Sequence, residues 1–275
     1  MHVAACGAGD PVLFIHGMPT SGRLWDGVIA RLCEYHRCIA VDLPGLGRSP
    51  RAPHSLGDLD TIAQQLDQIR QQNGFERWHV VGHDAGAVIA VHYAHCYAKR
   101  VDRLALLAPA LFPELKPYFL IEPLRRALVG ELLAPIIRTV FWKVAMQRAL
   151  EGVEDGSRLA RDFYEPFAGQ AGALAFMRLV RWGEPKKLLA NIPAMLPEMN
   201  MPALIFHGAA DPVVPVEFAR RASTLMPNAS MITLNCGHFI PLCEPASVAE
   251  ELGRFFLLAK HYPGELMAHM PDVAQ

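Results

Sequence analysis

The feature that most constrains this chain is a short segment in which glycine breaks an apolar run. Residues 78–81 predict a buried strand, and residues 85–95 predict a helix. Between them the chain reads Gly82-His83-Asp84-Ala85-Gly86. Small residues on both sides of Asp84 would let strand and helix pack closely and hold the central side chain exposed in strained backbone. The pattern predicts that Asp84 is a nucleophile, with the alternative that it only caps the helix.

The composition is that of a single folded unit without strong charge. The chain has 275 residues, is 52% hydrophobic and has a net charge of −1, which allows one large core and gives no reason to expect nucleic-acid binding. The six cysteines show no metal-type pairing, so we expect free thiols in a reducing cytoplasm. No N-terminal stretch combines a charged start, an apolar segment and a cleavage site, and no apolar run reaches membrane-spanning length, so we expect neither a leader peptide nor a spanning segment. We expect a cytoplasmic monomer or homodimer without cofactor, metal, nucleic acid or membrane partner.

Predicted strands and helices alternate along residues 1–109. This alternation predicts the α/β class, with a mostly parallel central sheet flanked by helices. Residues 110–199 break the alternation, since they predict several helices interrupted by prolines and no convincing strand. Strand and helix patterns then return. We therefore predict a core formed by residues 1–109 and 200–275, with an inserted helical lid over residues 110–199.

Three candidate catalytic residues follow predicted strands, in the order Asp84, Asp211 and His238. The carboxyl ends of parallel strands share one edge of a sheet, so these residues can converge although they are distant in sequence. The segment 16–19 also follows a strand and could direct backbone N–H groups to the same place. Each residue has a structural alternative as well, because Asp211 precedes proline as in many turns and His238 could cap the last strand.

Five motifs resemble the α/β-hydrolase superfamily in the right order: HGMP, DLPGLGRS, GHDAG, HGAADPVVP and NCGHF. The aspartate of GHDAG resembles the branch that contains epoxide hydrolases and haloalkane dehalogenases, and HGMP is similar to the HGxP signature of the epoxide hydrolases. The resemblance implies that Asp84 is the nucleophile, that His238 is the general base and that Asp211 orients His238.

The resemblance also implies roles for groups around the nucleophile. The backbone N–H groups of Met18 and Ala85 would form the oxyanion hole, and His16 and His83 are expected to support it through hydrogen bonds. A carboxylate has a reference pKa of about 4 and needs no base before it attacks. Asp84 could therefore open an epoxide or displace a halide by attack at carbon. His238 would then activate water, which attacks the carbonyl of the resulting ester.

Side chains near the nucleophile separate the possible substrates. The dehalogenases that the chain resembles hold the halide with a Trp after the nucleophile, often helped by Asn or Glu in the oxyanion loop. The corresponding residues here are Ala85 and Met18, whose side chains cannot donate a hydrogen bond. Epoxide hydrolases need a lid acid, usually tyrosine, and the candidates are Tyr164 and Tyr118. We expect hydrolysis of a small apolar or aromatic epoxide; the alternatives are dehalogenation, lactone cleavage and ligand binding without catalysis.

Overall fold

The centre of the molecule is a seven-stranded sheet. The computed structural model describes residues 1–50, 58–116, 119–150, 153–182 and 185–261. The strand order is β1-β3-β2-β4-β5-β6-β7. The strands are β1 (His2–Cys6), β2 (Asp10–Ile15), β3 (His36–Asp42), β4 (Trp78–His83), β5 (Val101–Leu107), β6 (Ala203–Gly208) and β7 (Ala229–Leu234).

Helices flank this sheet and fill the long connection between β5 and β6. They are α1 (Asp26–Leu32), α2 (Leu59–Gln72), α3 (Ala85–Cys96), α4 (Val129–Val140), α5 (Gln147–Ala149), α6 (Gly156–Tyr164), α7 (Gly169–Trp182), α8 (Pro185–Leu188), α9 (Ile192–Met195), α10 (Val216–Leu225), α11 (Ile240–Cys243) and α12 (Pro245–His261). Short 3-10 segments occur at Gly22–Trp25, Ala98–Arg100, Glu122–Arg125, Glu165–Phe167 and Leu196–Glu198, and a π-helical segment occurs at Phe141–Met146. No described helix is long and apolar enough to cross a membrane.

The pairing of the strands explains which of them are most apolar. Strand β1 is antiparallel to β3, and the other described pairs are parallel. Strands β4 and β6 are buried along their whole length, as expected where helices cover both faces of a parallel sheet. The edge strand β1 instead exposes its three middle residues. The predicted α/β class and mostly parallel sheet are therefore confirmed.

The parallel strands also fix where functional residues can lie. Strands β2, β4, β5 and β6 run in the same direction in adjacent positions. The segments that follow their carboxyl ends therefore meet at one edge of the sheet. This edge receives the loop after β2, the turn after β4 and the loop after β6.

The elements between β5 and β6 are helical throughout their described residues. A buried arginine holds them together: Arg138 Nη1 donates to the carbonyl oxygens of Phe167 at 2.6 Å and Gly169 at 2.7 Å. Nearby, Trp142 Nε1 donates to the carbonyl oxygen of Ala160 at 3.0 Å. The region has its own polar and aromatic core, and the boundaries 110–199 of the lid stay a prediction.

Candidate active site

Asp84 lies at a sharp turn between β4 and α3, with φ 53° and ψ −118°. Positive φ is costly for any residue except glycine, so the surrounding backbone has to enforce it. A Cβ atom on Gly82 would lie 2.5 Å from the carbonyl oxygen of Gly86, and one on Gly86 would lie 2.3 Å from that of Ile15. Strand β4, helix α3 and strand β2 thus approach too closely for side chains at either glycine. This close approach explains the spacing of glycines around Asp84.

The loop after β2 presents its backbone to the Asp84 carboxylate. The N–H of Met18 donates to Asp84 Oδ2 at 3.1 Å, and the N–H of Ala85, the next residue, favours the ionised form of the carboxylate. Gly17 makes this approach possible, because a Cβ atom there would lie 2.7 Å from Oδ2. The peptide bond between Met18 and Pro19 is cis. Two backbone N–H groups therefore lie beside one carboxylate, and their role as an oxyanion hole stays a prediction.

His238 and Asp211 form a second hydrogen-bonded unit beside Asp84. His238 Nδ1 lies 2.9 Å from Asp211 Oδ2, while Asp211 Oδ1 accepts hydrogen bonds from the N–H groups of Val213 at 2.7 Å and Val214 at 3.0 Å. Because an ionised carboxylate only accepts, Nδ1 carries the proton and Nε2 is the free position of a neutral ring. Nε2 lies 4.0 Å from Asp84 Oδ1, which is too far for a direct hydrogen bond.

Burial and charge shift the pKa values of these three residues in different directions. Desolvation raises the pKa of Asp84, although His238 and the N–H groups of Ala85 and Met18 favour its ionised form. Desolvation also acts against ionised Asp211, but the hydrogen bond and charge of His238 outweigh it and lower the pKa of Asp211. Burial opposes a charged His238, yet Asp211 and Asp84 together raise the pKa of His238. Asp211 is thus held ionised beside an imidazole that protonates easily.

The two histidines predicted to support the site hold its loops rather than Asp84 itself. His83 Nε2 lies 2.9 Å from the carbonyl oxygen of His238 and therefore donates to it. His16 accepts a hydrogen bond from the N–H of Leu43 at Nε2, at 2.9 Å, and its Nδ1 lies 2.7 Å from the carbonyl oxygen of Gly17. Burial lowers the pKa of His83 to about 3 and that of His16 to about 4. Both rings are consequently neutral and serve as hydrogen-bonding links.

Of the two tyrosines predicted as lid acids, the structure describes Tyr164. The Tyr164 ring packs 5.3 Å from the Trp142 ring and 5.3 Å from the guanidinium carbon of Arg138. Its hydroxyl has no hydrogen-bond partner among the residues that the structure describes. Tyr118 lies outside the described residues. The structure therefore brings Asp84, Asp211 and His238 together, whereas it hydrogen-bonds neither Asp84 nor His238 to Tyr164.

One organising residue was not singled out in the sequence. Asp42, at the end of β3, accepts hydrogen bonds from the N–H groups of Gly22 at 2.7 Å and Arg48 at 2.9 Å. Its Oδ2 also lies 3.0 Å from His2 Nδ1. These contacts fix the glycine-rich loop that carries Leu43, the partner of His16. The signal that could have found Asp42 is an aspartate between an apolar strand and a glycine-rich loop.

The donor groups that could hold a metal ion lie elsewhere. Within the described ranges, one cluster of possible metal-binding side chains has its ligand atoms within 4.8 Å of one another. It consists of Asp60, His92 and Cys96 on α2 and α3. His92 Nε2 already lies 2.7 Å from Asp60 Oδ1. None of these residues belongs to the cluster around Asp84.

Comparison with known proteins agrees with the architecture. A soluble epoxide hydrolase of Corynebacterium sp. is 36% identical over 107 residues, which is 39% of this chain and 37% of that protein. A cis-3-alkyl-4-alkyloxetan-2-one decarboxylase of Shewanella oneidensis is 28% identical over 87% of this chain and 80% of its own length. The match spans 80% of the length of the Shewanella protein and 37% of the Corynebacterium protein. For an abhydrolase domain-containing protein of Caenorhabditis elegans, it spans 25% of the length.

Solved structures extend the likeness of the fold to nearly the whole chain. A putative ancestral haloalkane dehalogenase superimposes with a TM-score of 0.78 and 22% identity, over 95% of this chain and 96% of the other. The sequence model of the family described as alpha/beta hydrolase fold matches residues 10–245. The chain therefore belongs to the alpha/beta hydrolase fold family.

Proposed function

We propose that the protein is a hydrolase in which Asp84 is a covalent nucleophile and that its substrates are small apolar or aromatic epoxides. The observation that carries the proposal is the position of the Asp84 carboxylate. One of its oxygens accepts the N–H of Met18 at 3.1 Å, and the other lies 4.0 Å from His238 Nε2. A side chain that only capped helix α3 would need neither partner.

In the first step Asp84 Oδ1 attacks a carbon of the epoxide. A bond forms between Oδ1 and that carbon, the ring C–O bond breaks, and the opened oxygen takes a proton from an acid. Oδ1 is the oxygen available for attack because Oδ2 accepts the N–H of Met18. The absence of a direct hydrogen bond from His238 fits this chemistry, since a carboxylate need not lose a proton before it attacks.

In the second step water attacks the ester carbonyl carbon of Asp84. The 4.0 Å gap between His238 Nε2 and Asp84 Oδ1 suits a base that takes a proton from water instead of from the nucleophile. The oxyanion develops on Oδ2, next to the N–H of Met18. Such donors typically contribute about 3 kcal/mol each to the transition state. Collapse of the intermediate breaks the bond between the carbonyl carbon and Oδ1, the leaving oxygen takes the proton held by His238, and the diol is released while Asp84 becomes a carboxylate again.

Esterification of Asp84 also changes the pKa of the general base, His238. The negative charge of Asp84 is one cause of the raised pKa of His238 in the free enzyme, and the ester carries no such charge. The pKa of His238 therefore falls when the intermediate forms. The neutral imidazole that water activation requires becomes more abundant at the step that uses it.

The lack of side-chain hydrogen-bond donors at Ala85 and Met18 argues against a halide as the leaving group. The side chains of Ala85 and Met18 carry no N–H or O–H group. The indole N–H of Trp142 is already bonded to the carbonyl oxygen of Ala160. An epoxide oxygen instead needs one proton donor, and the unbonded hydroxyl of Tyr164 is our candidate.

A second candidate substrate is a strained cyclic ester. It is favoured by the relative from Shewanella oneidensis, an oxetan-2-one decarboxylase by name, which aligns with 87% of this chain. Attack of Asp84 on the saturated ring carbon bonded to the ring oxygen of an oxetan-2-one would break that C–O bond and free a carboxylate, which needs no proton from the lid. Loss of carbon dioxide from this carboxylate, with formation of a C=C bond and cleavage of the bond to Asp84, would then restore the Asp84 carboxylate. That chemistry agrees with the lack of a hydrogen bond between Tyr164 and the cluster around Asp84.

Replacement of the base should trap the intermediate. We expect a His238→Ala variant incubated with a panel of epoxides to gain the mass of one substrate on the peptide containing Asp84, because the ester forms but is not hydrolysed. Peptide mass spectrometry gives the readout, and a variant that also carries Asp84→Ala should remain unlabelled.

Other results of this experiment would contradict epoxide hydrolysis. Labelling by haloalkanes alone, with halide release, would identify a dehalogenase, and carbon dioxide release from an oxetan-2-one would favour the second candidate. If no panel member labels the protein but one raises its melting temperature, the protein binds ligands without catalysis.

The lid acid can be tested with the hydroxyl alone removed. Tyr164→Phe keeps the ring against Trp142 and Arg138, so the fold should be retained while epoxide turnover falls by about 10²-fold. Tyr35→Phe, at an exposed position, is the matched control and should leave kcat unchanged. Tyr118→Phe tests the other candidate. Full turnover in both lid variants would exclude a tyrosine acid.

The pH dependence should differ between free enzyme and intermediate. Hydrolysis of the ester requires neutral His238, so its rate should rise with pH and level off above the pKa of His238 in the ester. That midpoint should lie below the pKa of His238 in the free enzyme, which NMR titration measures. Single-turnover rates across pH give the comparison. A midpoint equal to or above the free-enzyme pKa would contradict the proposed loss of charge on Asp84.

A further inference from the structure

Helix α4 of the lid places several of its large apolar side chains on the solvent side. Its buried positions hold Gly130, Ala134 and Arg138, which are two small residues and a cation. Large aliphatic side chains occupy the exposed positions, where their exposed fractions range from 39% to 84%; we call this set the lid stripe, and it consists of Leu128, Leu132, Ile136, Val140 and Val144. A contiguous apolar surface of this kind normally marks a contact site.

The backbone keeps the lid stripe aligned. Its members recur every fourth residue, a step slightly longer than one α-helical turn, so the row drifts around the axis. The chain changes to π-helix at Phe141–Met146, where each turn holds more residues and a four-residue step falls short of a full turn. The drift is thereby reversed between Val140 and Val144. At the other end Leu128, with φ 64°, is held in a backbone conformation that is rare for bulky residues.

The charges around the lid stripe are mainly positive. Residues 119–150 contain five basic residues, of which Arg138 is buried, and two acidic residues, whereas the whole chain has a net charge of −1; the charged residues are Glu122, Arg125, Arg126, Glu131, Arg138, Lys143 and Arg148. The side chain of Glu131 is already paired with Arg181, and that of Glu122 lies 3.7 Å from Arg125. Arg126 and Lys143 are exposed at opposite ends of the stripe. An occupant of this surface should therefore be apolar and negatively charged.

We propose that the lid stripe docks on an anionic lipid surface, with α4 lying in the plane of the interface. An exposed apolar row flanked by cations is typical of helices that bind membranes in this way. A second copy of this chain fits less well. If two such helices paired parallel, Arg126 would face Arg126 and Lys143 would face Lys143, and if they paired antiparallel, Arg126 would face Lys143. Either arrangement opposes like charges.

This docking needs no membrane-spanning helix, and it differs from the expectation of no membrane partner made from the sequence. That expectation rested on the length of apolar runs, whereas the lid stripe depends on which face of α4 is exposed. The inference is independent of the chemistry of Asp84. It concerns where the protein acts rather than which bond it breaks.

Flotation with vesicles tests the inference. We expect the protein to float with vesicles of equal parts phosphatidylcholine and phosphatidylglycerol, and to bind vesicles of phosphatidylcholine alone much more weakly. The double variant Leu132→Ser/Ile136→Ser should reduce the partition coefficient by at least about tenfold, because each exposed side chain would lose its transfer into the interface. Arg126→Glu/Lys143→Glu should remove the preference for anionic lipid.

The matched control is Leu225→Ser/Leu257→Ser, which removes exposed leucines from α10 and α12 and should bind vesicles like the unmodified protein. Circular dichroism of all variants verifies folding. Equal binding by the Leu132→Ser/Ile136→Ser variant and the unmodified protein would overturn the proposal. Failure of the unmodified protein to bind vesicles would also overturn the proposal. This holds whether light scattering shows that the protein is a monomer or that it is a dimer which the Leu132→Ser/Ile136→Ser variant dissociates.

Discussion

The candidate site depends on the close approach of three backbone segments around Asp84. Strand β2, strand β4 and helix α3 come together where Gly82 and Gly86 leave no space for a Cβ atom, and this packing holds Asp84 at φ 53°. The same approach brings the N–H of Met18 to the carboxylate. One steric constraint thus produces both the positive φ of Asp84 and the approach of a backbone N–H group to its carboxylate. The cost of the strained backbone, about 1–3 kcal/mol, is offset by the packing of the sheet.

Electrostatics distinguish the two carboxylates that lie beside His238. Asp211 is fully buried, but it accepts hydrogen bonds from two backbone N–H groups and from His238, so it stays ionised and keeps the imidazole oriented. Asp84 is less completely satisfied, and desolvation raises its pKa. A carboxylate with fewer partners is the better nucleophile, because fewer hydrogen bonds must be given up when it attacks. His238 lies between the two and responds to the charge of each.

Much of the fold was predictable because its signals are local. The spacing of apolar residues over 58–72 predicts a helix, and in α2 Asp58 caps that helix by accepting the N–H of Thr61. Convergence of Asp84, Asp211 and His238 followed from the shared edge of parallel strands. Other features depend on distant contacts. The apolar spacing over residues 22–34 predicts one helix, but this segment begins with a 3-10 turn at Gly22–Trp25, where the N–H of Gly22 donates to Asp42.

The face of α4 that meets solvent was not predictable for a related reason. Two rows of residues recur every four positions along α4. One row is Gly130, Ala134 and Arg138, and the other is the lid stripe, so periodicity alone cannot say which row is buried. The buried row is chosen by Arg138, which finds carbonyl partners 29 and 31 residues away in sequence. The environment of Tyr164 is set by the same packing. The sequence indicates a lid, whereas its orientation depends on tertiary contacts.

The central claim is that Asp84 serves first as nucleophile and then as acyl group, and isotope transfer tests it most directly. Turnover of any accepted substrate in water enriched in oxygen-18 should place the heavy isotope in the carboxylate of Asp84, because water attacks the ester carbonyl. Mass spectrometry of the peptide containing Asp84 measures this, and the first turnover should give product without label. An unlabelled Asp84 with label in the first product would show direct attack by water and contradict the account.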